Sequence, residues 1–169
     1  MKAQIEAEEA KLSADLAAIA KSPGSDGFDG SGGVLSYPVG NHGITAGFHD
    51  PAYYAAFGWV HNGVDFGYVG CGTPIHASAD GRVDLVSYNS ARGNYIVVNH
   101  GSNGGSNLMT VYQHMPYGGV YASQGAWVSR GQTIGIVGGG ANGTGASTGC
   151  HLHFEVWVNG SPVNPLGYF

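Results

Sequence analysis

"GRVDLVSYNSARGNYIVVNHGSNGGSNLMTVYQHM", residues 81–115, holds three runs rich in Val, Ile, Tyr and Thr, broken by short clusters of Asn, Ser and Gly. Such runs read as successive β-strands and such breaks as turns. The same pattern continues in "QTIGIVG" at 132–138 and "HLHFEVWVNG" at 151–160. Glycine is the compositional outlier, with 31 of 169 residues against 10% charged residues. It follows no G-X-Y period, which suits an all-β domain with many turns. No amphipathic helical pattern of useful length appears after residue 34, and "GFHDPAYYAAFG" at 47–58 reads as a loop. Without helices to cover a parallel sheet, the strands are expected to be antiparallel, in a two-sheet sandwich or partly open barrel.

The first 20 residues differ in kind. "IEAEEAKLSADLAAIA" is rich in good helix formers, and Ile5, Leu12 and Ile19 recur at heptad spacing with Leu16 between them. This predicts a short N-terminal helix, read as the stub of a coiled coil. A free helix of this length is marginal in water, so residues 1–20 are expected to need a coiled-coil partner or an upstream half of the same helix. "KSPGSDGFDGSGG", residues 21–33, has the composition of a flexible linker. Residues 34–169 then form the domain proper, and the chain is long enough to bury a core without help from disulfides or metal.

A net charge of −5, with six Lys and Arg, leaves no basic stripe to follow a phosphate backbone, so nucleic acid is not an expected partner. No apolar run is long enough to span a membrane, and no secretory signal is visible in the first residues.

The chemistry concentrates in histidines. In a strand, side chains two residues apart leave the same face, so His151 and His153 point to one site while Leu152 and Phe154 point away. "HNGVDFG", residues 61–67, adds His61 and Asp65, with glycines that let the backbone bend close to an ion. Imidazole and carboxylate are ordinary zinc ligands, and a catalytic site needs three of them plus a position open to water. His61, Asp65 and one of His151 and His153 meet that count. His114, at the end of a β-type run, is placed to approach from another strand.

Five segments together resemble the lysostaphin/LytM-type peptidoglycan endopeptidases, metallopeptidase family 23. They are "HNGVDFGYVGCGTPIHASADGRV", "GNYIVVNHG", "VYQHM", "VSRGQTIGIVG" and "STGCHLHFEV", in that order and at approximately that spacing. The resemblance covers roughly residues 34–166. It implies one zinc ion held by His61, Asp65 and His153, with His114 and His151 as catalytic residues beside it. It also implies an open substrate groove and a zinc-dependent endopeptidase that hydrolyses stem-peptide or cross-bridge bonds of peptidoglycan. The expected setting is extracellular, the cell envelope or a phage virion. Two other readings accompany it: a non-catalytic wall-binding or amidase-activating module of the same fold, and the wall-penetrating domain of a phage tail protein.

Several residues have weaker readings. His49, Tyr53 and Tyr54 lie in a loop of the kind that borders the groove in such enzymes, and are candidates for substrate contact. Cys71 and Cys150 each flank a ligand-bearing segment, which suggests a bridge between them; two buried thiols are the alternative. "GGGANG" at 138–143 matches G-x-G-x-x-G, but no helix follows to bind phosphate, and the loop is expected to wall the groove. Ser147 in "GASTG" lacks the strand-turn-helix setting of a nucleophile elbow and is read as a loop residue.

Overall fold

The longest runs of the chain form strands, and along Gly93–Asn103 and Ser106–Met115 neighbouring apolar side chains go alternately to cores on the two faces of a sheet. The computed structural model describes residues 2–21, 34–140 and 142–169. From residue 22 on, the expected linker therefore lies outside the described residues. Helix α1 spans Lys2–Ile19, and a second helix, α2, spans Pro51–Phe57. The strands are β1 (Ile44–Ala46), β2 (Val64–Phe66), β3 (Pro74–His76), β4 (Gly81–Asn89), β5 (Gly93–Asn103), β6 (Ser106–Met115), β7 (Trp127–Val128), β8 (Thr133–Ile136), β9 (Leu152–Val158) and β10 (Ser161–Val163).

Eight strands make one antiparallel sheet in the order β1-β2-β9-β6-β5-β4-β7, with β10 added beside β9, and β3 pairs with β8 in a second, smaller sheet. The expected two-sheet antiparallel class is the one observed, open rather than closed into a barrel. Ile75 of β3 and Ile134 of β8 pack onto Val83, Ile96, Val98, Phe66, Phe154 and Val156 of the large sheet, all buried in the main core. Fully burying such a side chain is worth roughly 1.5–3 kcal/mol.

Helix α1 corrects the sequence reading. Leu12 and Leu16 are buried against Tyr95, Val97, Met109, Val111 and Trp157, on the outer face of the large sheet. The apolar stripe that suggested a coiled-coil partner is satisfied by the chain's own sheet, because β5, β6 and β9 present a second apolar face that would otherwise meet water.

Helix α2 is the second correction, in the stretch read as a loop. Asp50 caps it by accepting a hydrogen bond from the Ala52 N–H at 2.8 Å, Pro51 opens it, and Gly58 closes it with φ +80°. These are ordinary start and stop signals around a single short turn sequence, too brief to show a helical period.

One irregularity shapes the site. On β6, Tyr112 lies opposite Ile96 and Met115 lies opposite Asn94, so three steps on one strand match two on the other. The extra residue makes a bulge, and within it His114 adopts φ +65°, a left-handed conformation that is uncommon for a residue with a Cβ. Tyr112 and Met115 both reach the main core, although strict alternation would put them on opposite faces. His114 is thereby released to the outer face.

Candidate metal centre

The site grows from one register. Asp65 on β2 and His153 on β9 are direct antiparallel partners, and both leave the outer face because their neighbours Val64, Phe66, Leu152 and Phe154 fill the main core. His61 comes from the turn before β2. That turn passes so close to β9 that a Cβ at Gly63 would collide with the Phe154 carbonyl and lie 2.8 Å from His153 Nε2. Glycine is needed here for close approach.

Three donor atoms converge. His61 Nε2 lies 3.1 Å from Asp65 Oδ1 and 3.0 Å from His153 Nδ1, and His153 Nδ1 lies 2.9 Å from Asp65 Oδ1. The far nitrogen of each ring is committed: His61 Nδ1–H donates to the Gly47 carbonyl at 2.7 Å, and His153 Nε2–H donates to Glu155 Oε1 at 3.0 Å. With those tautomers, two imidazole lone pairs and a carboxylate oxygen face one point. Three acceptors that close require a positive charge among them, and the N,N,O set suits zinc. Without a metal, a proton takes that role. Burial alone would lower the His153 pKa, but hydrogen bonds to Asp65 and Glu155 raise it to about 9. Burial would raise that of Asp65, and the two histidines instead hold it well below the usual carboxylate range.

Glu155 anchors the next layer. Its Oε1 also accepts from Arg92 Nη1 and Gln113 Nε2, each at 2.8 Å, and its Oε2 accepts from Trp157 Nε1 at 2.6 Å. Arg92 is 2% exposed and forks between Glu155 and Glu9 of α1. Burial raises the Glu9 pKa against the pull of Arg92. Glu155 is held low by Arg92 and His153, although burial opposes them.

The other two histidines stand beside this triad. His151 Nε2 is 3.8 Å from Asp65 Oδ2, and the rings of His114 and His151 have centroids 4.7 Å apart. Nδ1–H of His114 donates to the Thr144 carbonyl and that of His151 to the Gly149 carbonyl, each at 2.9 Å. In both rings Nε2 is then the acceptor. Burial, reinforced by the neighbouring His151 and His153, lowers the His114 pKa to about 3. That of His151 is also lowered, again by burial first, with Asp65 opposing.

A cleft of about 590 Å³ opens over the five residues. Tyr53, Phe57 and Trp59 wall one side, and Tyr53 packs on His61 with ring centroids 4.2 Å apart. Of the other substrate candidates, His49 and Tyr54 are not among the lining residues. His49 stacks on Phe48 and gives its backbone N–H to the His61 carbonyl, while Tyr54 is 57% exposed. Ala146 and Thr148 line the cleft, not the described part of 138–143. Ser147 Oγ donates to the Gly149 carbonyl, beside His151. Cys71 and Cys150 are bridged, which ties the chain after β2 to the residue preceding His151.

Sequence reading missed Glu155, Gln113, Arg92 and Glu9. Glu155 was recoverable, since strand alternation puts residues 151, 153 and 155 on one face. Arg92 and Glu9 carry no local signal.

Comparison with known proteins agrees with the geometry. Peptidoglycan DD-endopeptidase ShyA of Vibrio cholerae is 42% identical over 106 residues, 63% of this chain and 22% of that protein. The chain spans about a fifth of the length of such relatives. Among solved structures, a Pseudomonas aeruginosa chain assigned to peptidase M23 superposes with TM-score 0.72 and 31% identity, covering 98% of this chain and 60% of that one. A zinc-containing peptidase from Vibrio cholerae superposes with TM-score 0.61 and 37% identity, covering 76% and 37%. Residues 59–165, which include His61, Asp65, His114, His151 and His153, match the profile of that same family, and the chain belongs to peptidase family M23.

Proposed function

We propose that this chain is a zinc-dependent endopeptidase domain that hydrolyses peptide bonds of peptidoglycan, with His61, Asp65 and His153 as the metal ligands. The observation that carries the reading is the convergence of three acceptor atoms whose tautomers are set by Gly47 and Glu155. Relatives named as DD-endopeptidases favour crosslinks between D-amino acids as the bond cut.

When bound, zinc supplies Lewis acidity toward water and the scissile carbonyl. The chain's own residues do the rest. His114 and His151 are held neutral, with Nε2 of each an acceptor beside the triad. One accepts the proton of the attacking water and, while it carries that proton, stabilises the negative oxygen before passing it to the departing amine; the other stays neutral beside it. The bulge at His114 and the disulfide next to His151 hold the two rings in place. Tyr53 and Trp59 offer an aromatic wall for the substrate.

The setting is the cell envelope, where peptidoglycan lies and where a disulfide persists. Among the described residues no helix is long and apolar enough to cross a membrane.

The test is mass spectrometry of products released from purified sacculi and from defined crosslinked muropeptides. Cleavage is expected to stop with chelator, return with zinc, and be lost in Asp65→Ala and His151→Ala. Hydrolysis that survives rigorous metal removal, or no cleavage of any wall type by zinc-loaded protein, would overturn it.

A further inference from the structure

Helix α1 is not a passive cover. It docks on the site's face of the sheet through Leu12 and Leu16, and through Glu8, whose carboxylate accepts from Ser90 Oγ at 3.0 Å and from the Ala91 N–H at 3.1 Å. These contacts place Ile5 and Glu9 in the wall of the cleft. Glu9 meets the second arm of Arg92, whose first arm holds Glu155, which in turn holds His153 Nε2.

We infer that α1 is a built-in part of the metal centre: Glu9, acting through Arg92 and Glu155, is a positioning residue that raises the affinity of the site for a divalent cation. The inference rests on the zinc reading above. Two physical arguments support it. The first is orientation. Arg92 is buried, and a guanidinium pinned at both ends has one placement, so Glu155 and the ring of His153 inherit it. The second is charge. Asp65, Glu155 and Glu9 bring three negative charges and Arg92 one positive, leaving two negative charges to match one divalent ion. With Glu9 removed, only one would remain around Arg92 and Glu155, both buried, although Glu9 itself is a third exposed and water screens part of the change.

Linkage then makes the coupling reciprocal: if the docked helix favours the ion, the ion must favour the docked helix by the same factor.

The experiment measures zinc affinity by competition with a chromophoric chelator on the whole chain. The variants are Glu9→Gln, which keeps shape and a hydrogen-bonding oxygen, and Glu6→Gln, which removes an equal charge from the exposed face of the same helix. Weakening of roughly tenfold is expected for Glu9→Gln, the low end for residues behind a metal ligand, and less than twofold for Glu6→Gln. Circular dichroism and thermal unfolding of the metal-free forms separate this from a folding defect, since a merely structural Glu9 would lower the midpoint and leave affinity unchanged. In the unmodified protein, amide exchange within α1 should slow on adding zinc by a comparable factor. Equal zinc affinity in both variants, or α1 exchange indifferent to zinc, would overturn the role of the helix while leaving the zinc site standing. Failure of the unmodified protein to bind zinc would instead overturn the reading beneath it.

Discussion

Replacing Glu155 by glutamine separates the metal centre from its support. The carboxylate receives four donors, three on Oε1 from Arg92, Gln113 and His153 and one on Oε2 from Trp157. A glutamine has one acceptor end and one donor end. Its better placement sets the carbonyl toward the three donors and turns its NH2 onto Trp157 Nε1–H, leaving a buried donor unmet at a cost of about 1–3 kcal/mol. Arg92 also loses its more deeply buried counter-charge. Breaking a buried pair costs about 3–5 kcal/mol, and the lower end applies because Glu9 still holds the other arm. The expected loss of stability is therefore at least about 3 kcal/mol in urea unfolding of the metal-free protein, with zinc affinity down roughly 10- to 100-fold. Adding Arg92→Met removes the uncompensated charge, so the double variant should be less destabilised than the sum of the singles. A loss under about 1 kcal/mol for Glu155→Gln, or strict additivity with Arg92→Met, would refute the view of Glu155 as a buried charged anchor.

Three further outcomes are expected. Gly63→Ala should lower zinc affinity more than tenfold in a competition assay, because its Cβ meets the backbone of Phe154 and the ring of His153, whereas Gly47→Ala, with open space around it, should not. Replacing Cys71 and Cys150 together by alanine opens a loop with a sequence separation of 79; the chain-entropy estimate puts the cost at up to about 4.5 kcal/mol by denaturant unfolding, and a loss below about 1 would contradict it. His100 is buried, its Nδ1–H donating to the Asp80 carbonyl and its Nε2 accepting from Thr110 Oγ1, each at 2.8 Å, and burial lowers its pKa to about 4. Between the ordinary value of about 6.5 and about 4, the unfolded chain binds the extra proton. Stability of the metal-free protein should fall on acidification through that window, by on the order of 3 kcal/mol from this residue, and His100→Gln should flatten the slope by that amount.

The candidate site was legible in part because strand geometry is local. A two-residue spacing at His151 and His153, and a four-residue spacing at His61 and Asp65, survive as sequence patterns whatever surrounds them. His114 was named from its motif, yet alternation from Tyr112 gives no hint that it leaves the core side. Only the bulge against β5 takes it there, and a bulge depends on the partner strand's register. The apolar stripe of α1 was also read correctly as a stripe and wrongly as a coiled-coil seam, since heptad spacing describes what a helix face wants and not what supplies it.

By itself the sequence determined the antiparallel β class, the longest strands, the five polar residues of the site and the family resemblance they carry, because each rests on periodicity or short spacing within one segment. Tertiary structure alone decided that Asp65 pairs with His153, that α1 covers the outer face of the sheet, and that Glu9, Arg92 and Glu155 form a line to a metal ligand. Those long-range contacts join residues 63 positions apart or more. The helix is held by burying apolar side chains and the polar line by pairing charges, both in a place no single segment encloses.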